Sequence, residues 1–395
     1  MNILYLGKMG SLADSEIPVF LERGHRVTVL NIDDKYFGHV STIPEFNNII
    51  NLYRHEHRRW RTIECIWGFA FYSNQIPIDT IRKLSTNISR LALNFVHTNK
   101  KNIRETIKKA IKDNNIDVVY SLWGRTPFPE IKMILKENIN VPIVHNLHTY
   151  PLAKGAFGDR RANPLHKEIF ERIDGRIHAS RNMYEYIKKK FNLKYGLDAV
   201  LMPCFSEKYF CKKRSELLSD IDSEPHIISI GTTNFSKKFD DVRKFIQEIA
   251  KEKIHFHLAK GEGIKEGKYV HPFEPMELLR LAEFMTQFDA CIVLYNVIKK
   301  YDRFSNGLPC RFLFALTAGI PIIMPENYFD ACEEIIKKYD IGFAYNDVKD
   351  LKAKLYDEEL MGRLKNNAIK MHRKFTLENN FHKLEKFMID VIEHK

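Results

Sequence analysis

At 395 residues the chain is longer than one hydrophobic core usually serves, so two domains are expected, and a 44 % hydrophobic composition excludes a disordered polymer. A formal net charge of +12 directs attention to anionic partners, among them nucleotide diphosphates, phospholipid headgroups and nucleic acid; a lysine-rich surface serving solubility alone is the plain alternative. Cys65, Cys204, Cys211, Cys291, Cys310 and Cys332 show no paired metal-ligand spacing, which fits reduced core thiols in a cytosolic protein, and no stretch approaches the roughly 20 apolar residues of a membrane span.

The chain opens with a strand at Ile3 to Leu6, a glycine-bearing turn, a helix with Ile17, Phe20 and Leu21 on one face, and a second strand at Val27 to Leu30 after Gly24. Such a turn offers backbone N–H groups and a helix N-terminus to a ligand, so Gly7, Lys8, Gly10 and Ser11 are candidates for phosphate or acceptor contact. The spacing is not G-x-G-x-x-G, and dinucleotide binding gains no support from it.

Arg54 to Arg61 is the densest basic run, and Trp60, Trp67, Phe69, Phe71 and Tyr72 accompany it. Cationic and aromatic side chains together suit an interfacial anchor or a lipid-phosphate acceptor; a solvated basic face is the bland reading. His55 and His57 lack a third ligand for a metal, and no nucleic-acid-binding signature is present.

Ile103, Ile107 and Ile111 mark a helix, Ile116 to Tyr120 a strand, Pro129 to Leu135 a helix and Pro142 to Val144 a strand. This alternation predicts a parallel sheet with helices on both faces. His145 and His148 then lie near a strand's carboxyl end, where parallel sheets hold ligands. Lys154 to Arg161 reads as a glycine-bearing loop that could close over a substrate or simply join two helices. A strand at Ile173 to Ala179 leads to a helix opened by Ser180, and Lys212 to Pro225 reads as a linker.

A second alternating series follows. A strand at His226 to Ile230 meets Gly231 and a polar loop, and Val242, Phe245 and Ile249 share a helix face. His255 to Leu258 is the next strand, with Gly261 and Gly263 beyond it, and a helix over Met276 to Met285 leads to Asp289. Ala290 to Leu294 and Ile320 to Met324 are apolar runs suited to buried strands, flanking a helix over Leu308 to Leu316 that Gly319 ends. The loop from Tyr295 to Pro309, with Arg311 at the helix start, is thereby placed where an anion would be held. Glu326 and Glu334 lie beyond, and Leu377, Phe381, Leu384, Met388 and Val391 give the last helix an apolar face.

Asp289, Tyr295, Leu308, Pro309, Arg311, Leu313, Ala318, Gly319 and Pro321 fall on a pattern that resembles the sugar-nucleotide half of GT-B-fold glycosyltransferases, group 1 or family 4-like. Two positions depart from it. The glutamate that the family directs at the donor ribose is Phe314 here, and an arginine of the family's diphosphate loop is Thr232, whereas Lys237 keeps the lysine position. Arg311 replaces a lysine, keeping the charge and adding a bidentate fork suited to phosphate.

The resemblance implies an α/β fold of two Rossmann-like domains facing across a cleft, with a C-terminal helix crossing back to the first. It sets boundaries at 1–210 for the acceptor domain, 211–372 for the donor domain and 373–395 for the helix. It implies transfer of a sugar from a nucleotide-diphosphate donor to a hydroxyl of a glycan or lipid-linked acceptor, with retention and without a metal. No cofactor is expected, the nucleotide sugar being substrate.

In that reading His148, Lys237 and Arg311 are the catalytic candidates. Gly231, Thr232, Lys237, Gly261, Tyr295, Leu308, Pro309 and Arg311 bind the donor, and Gly7, Gly10 and Ser11 face the acceptor. Fixed cations would stabilise the charge that grows on the leaving diphosphate. The expected location is cytoplasmic, with Arg54, Arg58, Arg59, Trp60 and Arg61 as a candidate contact to the inner membrane face; nucleic acid is not an expected partner. Phe314 and Thr232 keep open a GT-B-fold protein that binds nucleotide or glycan without turnover, and a sugar-nucleotide epimerase is the third reading.

Overall fold

The computed structural model describes residues 1–7, 12–31, 49–51, 101–122, 128–151, 166–231, 235, 241–261, 263–296 and 302–395. The chain divides into two compact units, Met1–Met202 with Phe381–Lys395, and Pro203–Asn380.

In the first unit, β1 (Asn2–Gly7), β2 (Arg26–Asn31), β3 (Ile49–Asn51), β4 (Val118–Leu122), β5 (Ile143–Leu147), β6 (Gly175–His178) and β7 (Leu197–Val200) form one sheet. The order is β3-β2-β1-β4-β5-β6-β7, and every neighbouring pair is parallel. All residues of β4, β5 and β6 are buried, as strands covered on both faces must be. The covering helices are α1 (Ala13–Glu22), α2 (Lys101–Asp113), α3 (Phe128–Lys136) and α4 (Arg181–Phe191). Ile107, Ala110 and Ile111 turn α2 inward, while Ser180 caps α4 by accepting the Met183 N–H at 3.0 Å.

In the second unit, β8 (His226–Ser229), β9 (His255–Ala259), β10 (Val270–Phe273), β11 (Ala290–Ile292), β12 (Ile322–Pro325) and β13 (Gly342–Tyr345) form a sheet in the order β10-β9-β8-β11-β12-β13. It too is parallel throughout. Its helices are α5 (Ser219–Asp222), α6 (Arg243–Lys251), α7 (Leu278–Met285), α8 (Asp302–Asn306), α9 (Cys310–Ala318), α10 (Asp330–Tyr339), α11 (Val348–Leu355) and α12 (Glu358–Met371), and only the first turn of the last helix, α13 (Leu377–His394), is part of it. The predicted linker is fastened within this unit: the Ser215 N–H donates to Thr286 Oγ1 at 2.9 Å and the Leu218 N–H to the Gln287 carbonyl at 2.9 Å. Helix α9 starts at Cys310 rather than Leu308, because Pro309 stands in extended backbone as its N-cap; it ends at Gly319, whose φ of +61° few other residues adopt.

Strand order reverses beside the first strand of each sheet, between β1 and β4 and between β8 and β11. Chain leaving the two strands there turns in opposite directions and opens a crevice beyond their carboxyl ends. These are the places where each unit can take a ligand.

Most of α13 belongs to the first unit, where Phe381 packs edge-on against Phe20 with ring centroids 4.8 Å apart. Gly175 of β6 makes room for it: a Cβ there would lie 2.8 Å from Val391 Cγ2 and 3.2 Å from Phe387 Cε1.

Candidate functional site

At the switch point of the second sheet, β8 runs into Gly231, β11 runs into Leu294 and Tyr295, and α9 presents Arg311 at its second residue. Arg311 Nη1 donates to the Leu294 carbonyl, and the guanidinium carbon lies 4.1 Å over the centre of the Tyr295 ring. That stacking fixes the plane of the fork and keeps the charge on an aromatic face. Tyr295 leans in turn on Phe304, with ring centroids 4.7 Å apart.

Gly231 adopts φ +98°, and a Cβ there would lie 3.6 Å from Arg311 Nη2. A backbone in a conformation that suits glycine thus passes beside the guanidinium. Leu308 is buried, and Pro309 precedes a helix start whose first N–H groups point out of the helix. The parts assemble an anion-binding corner: a fixed cation, a helix N-terminus and a close-approaching glycine.

Beside this corner lies an open recess of about 340 Å³ lined by residues 241–245, Glu248, Leu294, Tyr295 and Asn296. Arg243 there is paired with Asp241, its Nε at 2.7 Å from Oδ1 and its Nη2 at 2.6 Å from Oδ2. Gly261 follows β9 and is half-buried, with Lys260 before it paired to Glu274 at 2.6 Å. Thr232 and Lys237 of the donor set, Gly10 and Ser11 of the acceptor turn, and the Arg54 to Arg61 cluster lie outside the described residues.

Two positions on the resembled pattern turn out to support the fold. Asp289 stands at the amino end of β11, where its carboxylate accepts from the His226 N–H, the Ser219 hydroxyl and Lys365 Nζ, each at 2.8 Å. Phe314 stacks on Phe205, with ring centroids 4.5 Å apart and planes 19° from parallel. Hydrophobic packing therefore occupies the position where the resembled family carries glutamate. Burial pushes the Cys291 thiol up to about 12 and raises those of Cys310 and Cys332. They are poor nucleophiles.

In the first unit Gly7 ends β1 at the switch point, in register with Leu122 of β4. His145 lies inside β5, where its Nδ1 is 3.0 Å from Ser121 Oγ and its ring sits among Phe128 and Phe170. His148, just beyond the strand, is 3 % exposed, and burial pushes its pKa down to about 3. It is a neutral imidazole at physiological pH.

A carboxyl group that the sequence pattern does not single out lies on the buried face of α1. Glu16 of α1 is buried and accepts from the Tyr5 hydroxyl at 2.8 Å and the Tyr120 hydroxyl at 3.1 Å, while Asn146 Nδ2 donates to Tyr120 at 2.6 Å. Burial raises its pKa from 4.5 to about 7, against the pull of both hydroxyl groups. Its signal in the sequence is weak: it sits four residues before Phe20, on the apolar side of α1.

Two doubly wound parallel sheets, one in each unit, define the GT-B class of fold. Solved structures of that fold include sucrose-phosphate synthase (tll1590) from Thermosynechococcus elongatus, at 12 % identity and a TM-score of 0.64 over 100 % of both chains. A glycosyltransferase from Rickettsia africae gives 11 % identity and 0.65 over 100 % of this chain and 98 % of its own. Anabaena Alr3699/HepE in complex with UDP gives 12 % and 0.60 over 99 % and 100 %. No protein-family model and no curated protein matches the sequence. At such identities the likeness establishes the fold.

Proposed function

We propose that this chain is a glycosyltransferase that moves a sugar from a nucleotide-diphosphate donor to a hydroxyl acceptor, with the diphosphate held at the carboxyl ends of β8 and β11. The observation that carries this reading is Arg311, clamped by the Leu294 carbonyl and the Tyr295 ring beside Gly231. As the glycosidic bond breaks, negative charge collects on the leaving diphosphate, and a guanidinium that is already oriented stabilises it without reorganising. Lys237 supplies a second cation in this proposal. A solved structure of the same fold holds UDP, which supports a nucleotide donor.

The resemblance assigns His148 to the donor sugar; as a neutral imidazole it would hydrogen-bond a hydroxyl without carrying charge. Gly7, Gly10 and Ser11 are assigned to the acceptor side, and Arg54, Arg58, Arg59, Trp60 and Arg61 to peripheral contact with an anionic membrane carrying a lipid-linked acceptor. Retention of configuration, with Lys237 and Arg311 neutralising charge that a divalent cation would otherwise meet, completes the proposal.

The test is incubation with a panel of labelled UDP-, GDP- and ADP-sugars and glycan or lipid acceptors, with and without added Mg²⁺ or Mn²⁺. The expected result is transfer from one donor class, insensitive to added metal, with the anomeric configuration of the donor kept in the product. Donor conversion without acceptor would point to an epimerase. A second reading, nucleotide binding without turnover, draws on the Phe205–Phe314 stack at the family's glutamate position; calorimetric binding of a nucleoside diphosphate with neither transfer nor donor hydrolysis would favour it.

A further inference from the structure

The Glu16 carboxyl is one end of a hydrogen-bond chain that reaches the carboxyl edge of the first sheet. Tyr5 and Tyr120 stand in register on β1 and β4, with ring centroids 5.4 Å apart, and their hydroxyls lie 2.8 and 3.1 Å from the two Glu16 oxygens. Asn146 comes next, its Nδ2 2.6 Å from the Tyr120 hydroxyl. This residue of β5 pairs with Leu122 of β4, which pairs with Gly7 of β1, so the three form one row where the strands end and the crevice begins. Asn146 is 6 % exposed, and among the described residues its Oδ1 has no hydrogen-bond partner. An amide oxygen that is buried and unpaired costs free energy until a partner meets it.

The protons along this chain couple its two ends. With Glu16 ionised, both hydroxyls donate to the carboxylate, the Tyr120 oxygen accepts from Asn146 Nδ2, and the Asn146 carbonyl is left over. A proton on Glu16 turns one of its oxygens into a donor, and a tyrosine oxygen must receive it. Among the described residues the Tyr5 hydroxyl has no second acceptor for its own hydrogen. Tyr120 has one, because the Asn146 amide can rotate by half a turn and offer Oδ1. Every group in the chain is then satisfied, and Nδ2 takes the place that the unpaired oxygen held.

We propose that Asn146 hydrogen-bonds a hydroxyl of a sugar-class substrate in the first unit, and that Glu16 and Tyr120 are positioning residues that set whether it offers a carbonyl or an NH₂ group. This rests on the reading of the first unit as the acceptor side. The carbonyl takes the proton of a substrate hydroxyl; the NH₂ group donates instead, and a substrate posed for the carbonyl is mismatched to it. Glu16 titrates near 7, so acceptor binding tightens as pH rises through neutrality. The titratable groups facing Glu16 are Tyr5 on β1 and Tyr120 on β4, whose hydroxyls burial holds protonated. Asp14 of α1 acts on Tyr5, and α13, packed on α1 through Phe381 and Phe20, brings Glu385, which pairs with His25 at 2.8 Å.

The experiment is NMR of the full chain labelled with nitrogen-15 at asparagine, following side-chain amides from pH 5.5 to 8.5, with Asn146→Ser identifying the signals of that residue. The expected result is an Asn146 amide that shifts with a midpoint near 7 in the wild type and ignores pH in Glu16→Gln and in Tyr120→Phe, circular dichroism confirming the fold of each. Should Glu16→Gln fail to fold, Tyr120→Phe carries the same comparison. In the transfer assay the acceptor KM falls about 10-fold between pH 6 and 8 in the wild type and stays at its pH 6 value in Glu16→Gln. A wild-type amide that ignores pH, or one that still titrates in Tyr120→Phe, overturns the relay. An acceptor KM that is flat in the wild type, or that changes equally in Glu16→Gln, overturns the substrate contact. Absence of any transfer counts against the glycosyltransferase reading, and the amide titration then decides the relay by itself.

Discussion

Replacing Glu16 with glutamine tests the buried carboxyl of the first unit directly. The group titrates near 7 in the folded chain and near 4.5 when exposed, so between those values the folded chain keeps a proton that the unfolded chain releases. Stability contributed by this group is therefore full below 4.5, falls as pH rises, and reaches its lowest level above about 7. At about 1.4 kcal/mol per pH unit, the loss is about 3 kcal/mol overall and about 2.5 kcal/mol between pH 5 and 8. The carboxamide of Glu16→Gln preserves the shape, keeps an acceptor oxygen for one tyrosine hydroxyl and offers an NH₂ donor to the oxygen of the other, and has no proton to lose. Urea unfolding of both proteins from pH 5 to 8, with amide exchange in β1 and β4 reporting the first unit, should show the variant gaining on the wild type as pH rises. Other titrating groups cancel in the difference. A gap between the two proteins that is the same at pH 5 and pH 8 would refute the assignment.

Arg311→Ala should weaken nucleoside-diphosphate binding at least about 10-fold and lower transfer about 100-fold or more, read by calorimetry and initial rates, because stacked and hydrogen-bonded charge is lost together. Gly342→Ala should leave the second unit unfolded: the new Cβ would sit 1.9 Å from the Ile322 carbonyl oxygen, where β12 and β13 pair, a clash worth more than about 4 kcal/mol. Circular dichroism and limited proteolysis would report it. His148 has a folded pKa near 3, so its stability contribution is complete above 6.5 and declines as pH falls below that value. Its imidazole nitrogens, followed by NMR, should remain those of a neutral ring down to pH 5.

Much of this architecture is legible in the chain because its signals are local. Short apolar runs mark the first halves of β4 and β5 and most of β12, Ser180 and Pro309 mark helix starts, and Gly319 marks a stop. Arg311 is also legible, since a cation just inside a helix after a buried strand has one place to go in a parallel sheet. The Glu16 network escapes such reading because Tyr120 reaches it only through the pairing of β1 with β4, across more than a hundred residues. The stacked pair His226 and His255 escapes it too, because parallel register alone sets the first residues of β8 and β9 side by side. Asp289 and Phe314 show the converse: their positions fit a pattern, but the Lys365 pair and the Phe205 ring decide what they do.

Residues 381–395 complete the first unit, yet a ribosome delivers them only after all of residues 203–380. The niche at Gly175 stays open until Phe387 and Val391 arrive, so the second unit, contiguous in the chain, can finish folding while the first still exposes part of its apolar interior. Loss of residues 381–395 would therefore injure the unit whose strands are translated before residue 203 and spare the unit that lies between.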